Sequence, residues 1–245
     1  MSELARLPQR RIGRDSLGTA QSLARRFAAT AAEHDRTGVL PAENFAALHE
    51  AGLIGLTAPR KFGGAGAGLA EASAVIGALS AGEPSTALIL FMQYANLANI
   101  PEGRWDPTLI AEVVGDATAN GSLINSLRVE PELGSPARGG LPETVARRTA
   151  AGWEITGRKI YSTGSTALGW MLVWAKTDET PARLGRFLVP AKSPGIAIIP
   201  SWNALGMRAT ASHDVTFDRV AIPARYAADI RLPSEWKGKD PVEAA

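Results

Sequence analysis

The chain has no cysteine. Disulfides, thiolate nucleophiles and Cys-ligated zinc or iron–sulfur centres are therefore excluded, and a reducing compartment is permitted. Histidine is nearly as scarce: His34, His49 and His213 stand far apart with no H-E-x-x-H, so no metal site is expected. Neither sign of charge dominates. Lys and Arg number 26 against 24 Asp and Glu, a net charge of +2, which leaves no strong field to attract nucleic acid or anionic lipid. Long apolar runs are missing too. The stretch from Pro84 to Pro101 carries no charge, but Gln93, Asn96 and Asn99 interrupt it and make it too polar to span a membrane. The N-terminus, MSELARLPQRRIGRD, mixes acids and bases without the apolar core of a secretory signal. These absences predict a cytoplasmic globular protein with no nucleic-acid or membrane partner.

What is present is ordinary in amount and divided in pattern. Of 245 residues, 45% are hydrophobic and 20% charged, as in a folded domain or two. From Asp15 to about Gly115 the periodicity is helical. Ser22, Leu23, Phe27, Ala31 and Ala32 suit an amphipathic helix that breaks at Thr37-Gly38. Pro41 opens PAENFAALHEAG, with Gly52 as a left-handed cap. LAEASAVIGALSAG, the buried-looking STALILFMQYANLANI and PTLIAEVVGD supply three more helices, the last ending at Gly115.

After Asn120 short stretches rich in Val, Ile, Trp and Thr alternate with turn residues at intervals of about ten, the spacing of a sandwich or barrel. Predicted strands are SLINSLRV, ETVARRTA, WEITGRKIYS, WMLVWAKT, GRFLVPA, GIAIIP and HDVTFDRVAI, with hairpin tips at Ala151-Gly152 and Thr156-Gly157. From Asp229 the chain is polar and aperiodic. The expected architecture is α+β: an N-terminal all-α helical domain over residues 1–117, an antiparallel β-barrel over 118–228, and a polar tail over 229–245.

Recognised nucleotide and hydrolase motifs are absent. Gly63, Gly64, Gly66 and Gly68 in TAPRKFGGAGAG fit no G-x-G-x-x-G register, and the following run ALILFM ends in Gln93 rather than a ribose-binding acid. They read as a tight loop between helices. The S-x-x-K match at Ser234–Lys237 has no partner motif and is chance.

Three segments on the β side combine glycines with hydroxyls and charges: NSLRVEPELGSPARGG, ITGRKIYSTGS and LGMRATASHDVTFDRV. Each could present N–H and hydroxyl donors to a ligand, and each could equally be a turn between strands. Arg147, Arg148, Arg158 and Lys159 read as a solvated face. His213 beside Asp214 could be a base oriented by a carboxylate, or a surface histidine at a strand start.

Taken in order, TAPRKFGGAGAG, VEPELGSP, GRKIYSTGS and LGMRATASHDVTFDRVAIP resemble four segments of the acyl-CoA dehydrogenase superfamily, from about Ala20 to about Ala228. The resemblance implies a flavoprotein carrying FAD, or FMN, that dehydrogenates an acyl-CoA thioester between its α and β carbons. It places Arg128, Val129, Gly134 and Ser135 at the flavin or the acyl-CoA, Tyr161 stacked on the flavin, and Ser162 and Thr163 at its reactive edge. Val129 stands where the family has threonine, Glu132 and Leu133 where it has Gly-Ala, Pro136 where it has Asp, and Gly164 where it has Asn. These departures shift weight to the alternative, a reduced-flavin monooxygenase of the same fold with His213 near the reacting oxygen. The family's catalytic base, much of its flavin cradle and its subunit interface belong to a C-terminal helical region with no counterpart here. The chain is therefore expected to lack a base of its own, with Glu130 and Glu132 the nearest acids, to expose the apolar face of ALILFMQYA, and to associate with itself or with that region. A catalytically inactive two-domain fragment is the non-enzyme alternative.

Overall fold

The structure is a computed structural model that describes residues 15–133 and 141–236. Helix α1 runs Ser16–Thr37. Its start is capped by the Asp15 carboxylate, which accepts from Gly18 N at 2.7 Å, and it stops where Gly38 turns left-handed at φ 68°. Helix α2 is Ala42–Glu50, with Gly52 at φ 75° beyond it as expected. Helix α3 is Leu69–Ser80 and α4 is Pro84–Asn99. The buried Glu83 carboxylate caps α4 by accepting from Ser85 N at 3.0 Å and Thr86 N at 2.5 Å. Helix α5 is Pro107–Asn120. It overruns Gly115, which sits in open space inside the helix, and ends instead at Gly121, φ 72°.

Helix α4 joins the two halves. Ala87, Ile89, Leu90, Tyr94 and Leu97 are buried against α3 and the sheet, and of the ALILFMQYA run only Phe91 is exposed. The expected exposed apolar face is therefore already covered within this chain. The polar residues that interrupt the run do the docking. Gln93 donates to Ser122 O at 3.1 Å and accepts from Ile124 N at 2.7 Å, while Asn96 accepts from Ser126 Oγ at 2.7 Å.

Eight strands follow: β1 Leu123–Leu127, β2 Val145–Arg148, β3 Gly152–Lys159, β4 Leu168–Thr177, β5 Leu184–Pro190, β6 Ile196–Ile199, β7 Asp214–Pro223 and β8 Ala227–Arg231. They form one sheet in the order β6-β7-β3-β2-β4-β5-β8, with β1 also on β4. The expected antiparallel barrel is thus corrected to an open, mixed sheet. Strands β1 and β2 share one edge of β4 and both run parallel to it, Leu123–Leu127 against Leu168–Val173 and Val145–Ala146 against Lys176–Thr177. Alternation in a sequence shows which faces are buried, whereas strand partners forty residues apart are chosen by the tertiary fold. Strand β4 is buried on both sides, which explains its nearly unbroken apolar run.

Two local readings are also corrected. Thr156-Gly157 is no hairpin tip but a bulge within β3, where the register with β7 shifts between Ile155 and Gly157. Strand β8 was hidden by its polarity. Its Asp229, at φ 53°, accepts from Arg186 and Arg231, so ion pairs replace the apolar alternation that marks a strand. Among the described residues no helix is long and apolar enough to cross a membrane.

The glycine loop behaves as a tight connection. Gly63 is left-handed at φ 86°, and a Cβ on Gly64 would fall against the carbonyl of Ala58. Gly64→Ala should therefore destabilise the fold by about 1–3 kcal/mol through overpacking. Gly77, on the exposed side of α3 with nothing near its would-be Cβ, should gain about 0.5–1 kcal/mol as alanine. Thermal and urea unfolding of the two variants measure both, and equal stabilities would refute the steric assignment.

Candidate functional site

Three segments far apart in sequence meet at one end of the sheet: the end of β1 with Arg128–Pro131, the β3–β4 turn Ile160–Ala167, and the loop Trp202–His213 ahead of β7. Backbone hydrogen bonds stitch them together. Ile160 N donates to Val129 O at 3.0 Å, Ser162 N to His213 O at 3.2 Å and Gly164 N to Thr210 O at 2.8 Å. Side chains add to this: Ser165 Oγ donates to Ala211 O at 2.7 Å and Asn125 Nδ2 to Thr163 O at 2.9 Å.

The stitched backbone is strained. Tyr161, Met207 and Ala211 all lie at positive φ, 54°, 56° and 45°, conformations that cost a non-glycine residue about 1–3 kcal/mol each and persist only where the surroundings over-determine them. One result is that Tyr161 stands 61% exposed, braced edge to face on Trp202 with ring centres 6.1 Å apart. Its neighbours turn inward. Thr163 is buried, and its hydroxyl lies 3.0 Å from Ser212 Oγ, which lies 2.7 Å from Thr210 Oγ1. Thr210 Oγ1 in turn donates to Met207 O at 2.8 Å. Ser162 is also buried, and its hydroxyl has no partner among the described residues. Arg128 lies over the Trp174 ring at 5.5 Å. Of the residues singled out from the sequence, Arg128, Val129, Tyr161, Ser162 and Thr163 thus fall on adjoining segments. Gly134 and Ser135 lie outside the described residues.

His213 has a defined role in this arrangement. Its Nδ1 accepts from Trp202 N at 3.1 Å, so the neutral ring carries its proton on Nε2. Burial holds its pKa below the ordinary histidine value, against a smaller opposing pull from Asp214. Asp214 does not orient it. The Asp214 carboxylate accepts from Arg158 at 2.9 and 2.5 Å and from Ser201 Oγ at 2.6 Å, because successive residues of a strand point to opposite faces.

Beneath the site lies a pair that the sequence reading misplaced. Lys159 is fully buried, not part of a solvated face. Its Nζ donates to Glu130 Oε1 and to Trp174 O, both at 2.6 Å. Glu130 also accepts from Glu143 N at 2.6 Å and from Thr144 N and Oγ1 at 3.1 and 2.6 Å. Burial pulls the Lys159 ammonium down to about 8 against the attraction of Glu130. Burial alone would raise the Glu130 carboxyl, but Lys159 and Thr144 outweigh it and hold it below the ordinary value. Glu130 is therefore committed to structure and is no spare base. Arg147 and Arg148 are exposed as expected, paired with Glu154 and stacked on Trp153. Ser212 and Asn125 were missed, although a polar residue inside an apolar strand such as SLINSL is a usable signal.

The result is one exposed aromatic ring and a neutral imidazole on strained backbone, backed by buried hydroxyls. Such a donor set suits a flat, weakly charged heteroaromatic ligand rather than a metal ion.

Comparison with known proteins places this arrangement. Residues 16–100 match the family described as acyl-CoA dehydrogenase, N-terminal domain, and residues 128–220 match acyl-CoA dehydrogenase, middle domain. The Bacillus subtilis protein YdbM, which carries an acyl-CoA dehydrogenase name, is 36% identical over 203 residues, covering 82% of this chain and 52% of YdbM. L-evernosamine nitrososynthase from a Micromonospora species is 28% identical over 233 residues, covering 89% of this chain and 52% of its own length. The solved structure of KijD3 with FMN and a dTDP-amino sugar superposes with a TM-score of 0.80 at 29% identity, over 92% of this chain and 56% of KijD3. The chain spans about half the length of the curated relatives it matches.

Two outcomes follow from the geometry. Lys159→Met leaves a buried, unpaired Glu130 and should cost about 3–5 kcal/mol, whereas the double variant Glu130→Gln/Lys159→Met should regain most of that. A double variant no more stable than the single one in urea unfolding would refute the pairing. His213 binds a proton less readily when folded than the ordinary value of 6.5, so its contribution to stability is present above that pH and is lost as pH falls below it. His213→Asn, which can still accept from Trp202 N, should flatten the loss of thermal stability between about pH 7 and 5. An unchanged slope would count against it.

Proposed function

The chain belongs to the acyl-CoA dehydrogenase family, and on that premise we propose that it is the flavin-binding part of a flavin-dependent oxidoreductase of the monooxygenase branch. The observation that carries this reading is the neutral His213 at the site. Its Nδ1 accepts from Trp202 N, so the neutral ring holds its proton on Nε2. A developing charge on oxygen needs a donor, which a neutral Nε2–H supplies. Val129 and Gly164, in place of a hydroxyl and an amide, point the same way. The solved structures of KijD3 and of TdsC, a dibenzothiophene monooxygenase from Paenibacillus sp. A11-2, hold FMN.

The residues present fit a flavin. The orphaned Ser162 hydroxyl offers a hydrogen bond to a polar ring edge, and the exposed Tyr161 ring offers a flat apolar face. When bound, the flavin would supply two-electron chemistry, as hydride acceptor or, reduced, as the activator of dioxygen. The protein's share is to hold, orient and shield. Thr163, fixed by the Ser212–Thr210 hydroxyl chain, can turn its proton to a ring acceptor without leaving that chain. Tyr161, fixed by its left-handed backbone and Trp202, sets the plane of stacking. The helical half of the chain closes one side of the sheet through α4.

A second reading, acyl-CoA dehydrogenation, is favoured by the 36% identity with YdbM. The two separate in one experiment on the purified chain loaded with FMN or FAD. Bleaching of the flavin by mixed acyl-CoAs under nitrogen supports dehydrogenation. A flavin that acyl-CoA leaves oxidised, but that NADH with a flavin reductase reduces and air reoxidises, supports the monooxygenase reading. Thr163→Val should weaken flavin binding by about 1–2 kcal/mol, and Tyr161→Ala by at least as much through lost stacking. Flavin fluorescence titration tests the site, and unchanged dissociation constants in both variants would overturn it.

A further inference from the structure

A second concentration of chemistry lies away from the strained turn, where Gly103–Trp105, β5, β8 and the turn Pro233–Trp236 meet. An open depression of about 380 Å3 is lined there by Arg104, Arg183, Ile230, Arg231, Leu232 and Glu235. Behind it, tryptophans and guanidiniums interleave. Arg186 lies 5.5 Å from the Trp105 ring centre and Arg231 lies 5.2 Å from that of Trp236. Trp236 meets Trp174 edge to face at 4.6 Å, and Arg128 covers Trp174. Gly103 makes the close approach possible, since a Cβ there would lie 2.5 Å from Trp105 Nε1 and 2.7 Å from Arg186 Nη2.

The cluster has more positive charge than it neutralises. Asp229 serves two guanidiniums at once, accepting from Arg186 through one oxygen and from Arg231 through the other, the latter at 2.6 Å. Arg183 reaches Glu179 only at 3.7 Å, and Glu235 spends one carboxylate oxygen on Leu232 N at 2.7 Å. Among the described residues, Arg104 and Arg128 have no carboxylate partner. Burial, with the like charge of Arg186 adding to it, holds Arg128 below the ordinary arginine value.

Four buried N–H groups here have no acceptor among the described residues: Trp105 Nε1, Trp236 Nε1, Arg186 Nε and Arg231 Nε. Buried donors are nearly always satisfied in folded proteins, and of these four residues Arg231 also lines the depression. Indole and guanidinium nitrogens donate and do not accept. A ligand that faces Arg231 together with Arg104 and Arg183 must bring acceptor oxygens and negative charge, and forked guanidiniums match a tetrahedral oxyanion.

We infer that this depression binds a phosphoryl oxyanion, as free phosphate or as the end of a phosphomonoester. The depression is lined by none of the residues singled out for the flavin, and Arg128 alone, behind it on Trp174, belongs to both neighbourhoods.

The test is calorimetric titration of the full chain, without flavin, with inorganic phosphate and with glycerol 3-phosphate, against sodium chloride of matched ionic strength. Tryptophan fluorescence is read in parallel. Saturable binding of either phosphate compound with a change in tryptophan emission is expected. Phosphate alone identifies the free ion as the ligand, the ester alone identifies a monoester, and both identify the phosphoryl group itself. Arg104→Gln, at an exposed residue with no carboxylate partner among the described residues, should fold normally and weaken binding at least about tenfold. Arg183→Gln should weaken it in the same direction. Thr163→Val should leave it unchanged. A response no larger than that to chloride, or wild-type affinity in both arginine variants, would overturn the inference.

Discussion

The arrangement of this chain hangs on one buried ion pair. Glu130 and Lys159 meet where β1, β2, β3 and β4 come together, and each makes further bonds to a different strand or loop: Glu130 to Glu143 and Thr144, Lys159 to the carbonyl of Trp174. Taking two charges out of water is expensive, and their attraction offsets that cost only when the remaining donors and acceptors are satisfied. Here they are. The pair therefore contributes less to net stability than to uniqueness, because any register that moved one strand would strand a charge in the core.

From this anchor the candidate site follows. Val129 and Pro131 flank Glu130, and Ile160 and Tyr161 follow Lys159, so the pair fixes two of the three segments that converge on the site. The third segment is tied by the backbone bonds of Ser162 and Gly164 and by the Thr163–Ser212 hydroxyl contact. Three non-glycine residues at positive φ are tolerated because the bonds around them leave no other choice. The segment is thus held in one conformation by its own bonds, and a site built on it would have a low ordering cost on binding.

The opposite character marks the arginine–tryptophan cluster. There the strands carry unbalanced charge and unsatisfied donors rather than a closed network. Strand β8 shows how the same residues serve fold and chemistry: Asp229 holds two arginines in place and leaves each with a nitrogen unspent. One sheet thus carries two chemically distinct regions, one built on buried, mutually bonded hydroxyls, the other cationic.

Much of this was legible in the amino-acid order. Helix starts and stops at Asp15, Gly38, Pro41 and Gly52, and seven of the eight strands, follow from caps, turn residues and periodicity, which are local properties. The segments holding Tyr161, Thr163 and His213 were visible as glycine- and hydroxyl-rich breaks, and their order carried the family. What the order could not show was which segments touch. The parallel pairing of β1 and β2 with β4, the open edge at β8, the bulge at Gly157 and the inward turn of Lys159 all depend on partners dozens of residues away. So does the separation of His213 from Asp214, neighbours in the chain that face opposite ways. Local pattern sets the state of each residue's backbone, but only the packed structure decides which charges and donors share a volume too small for water.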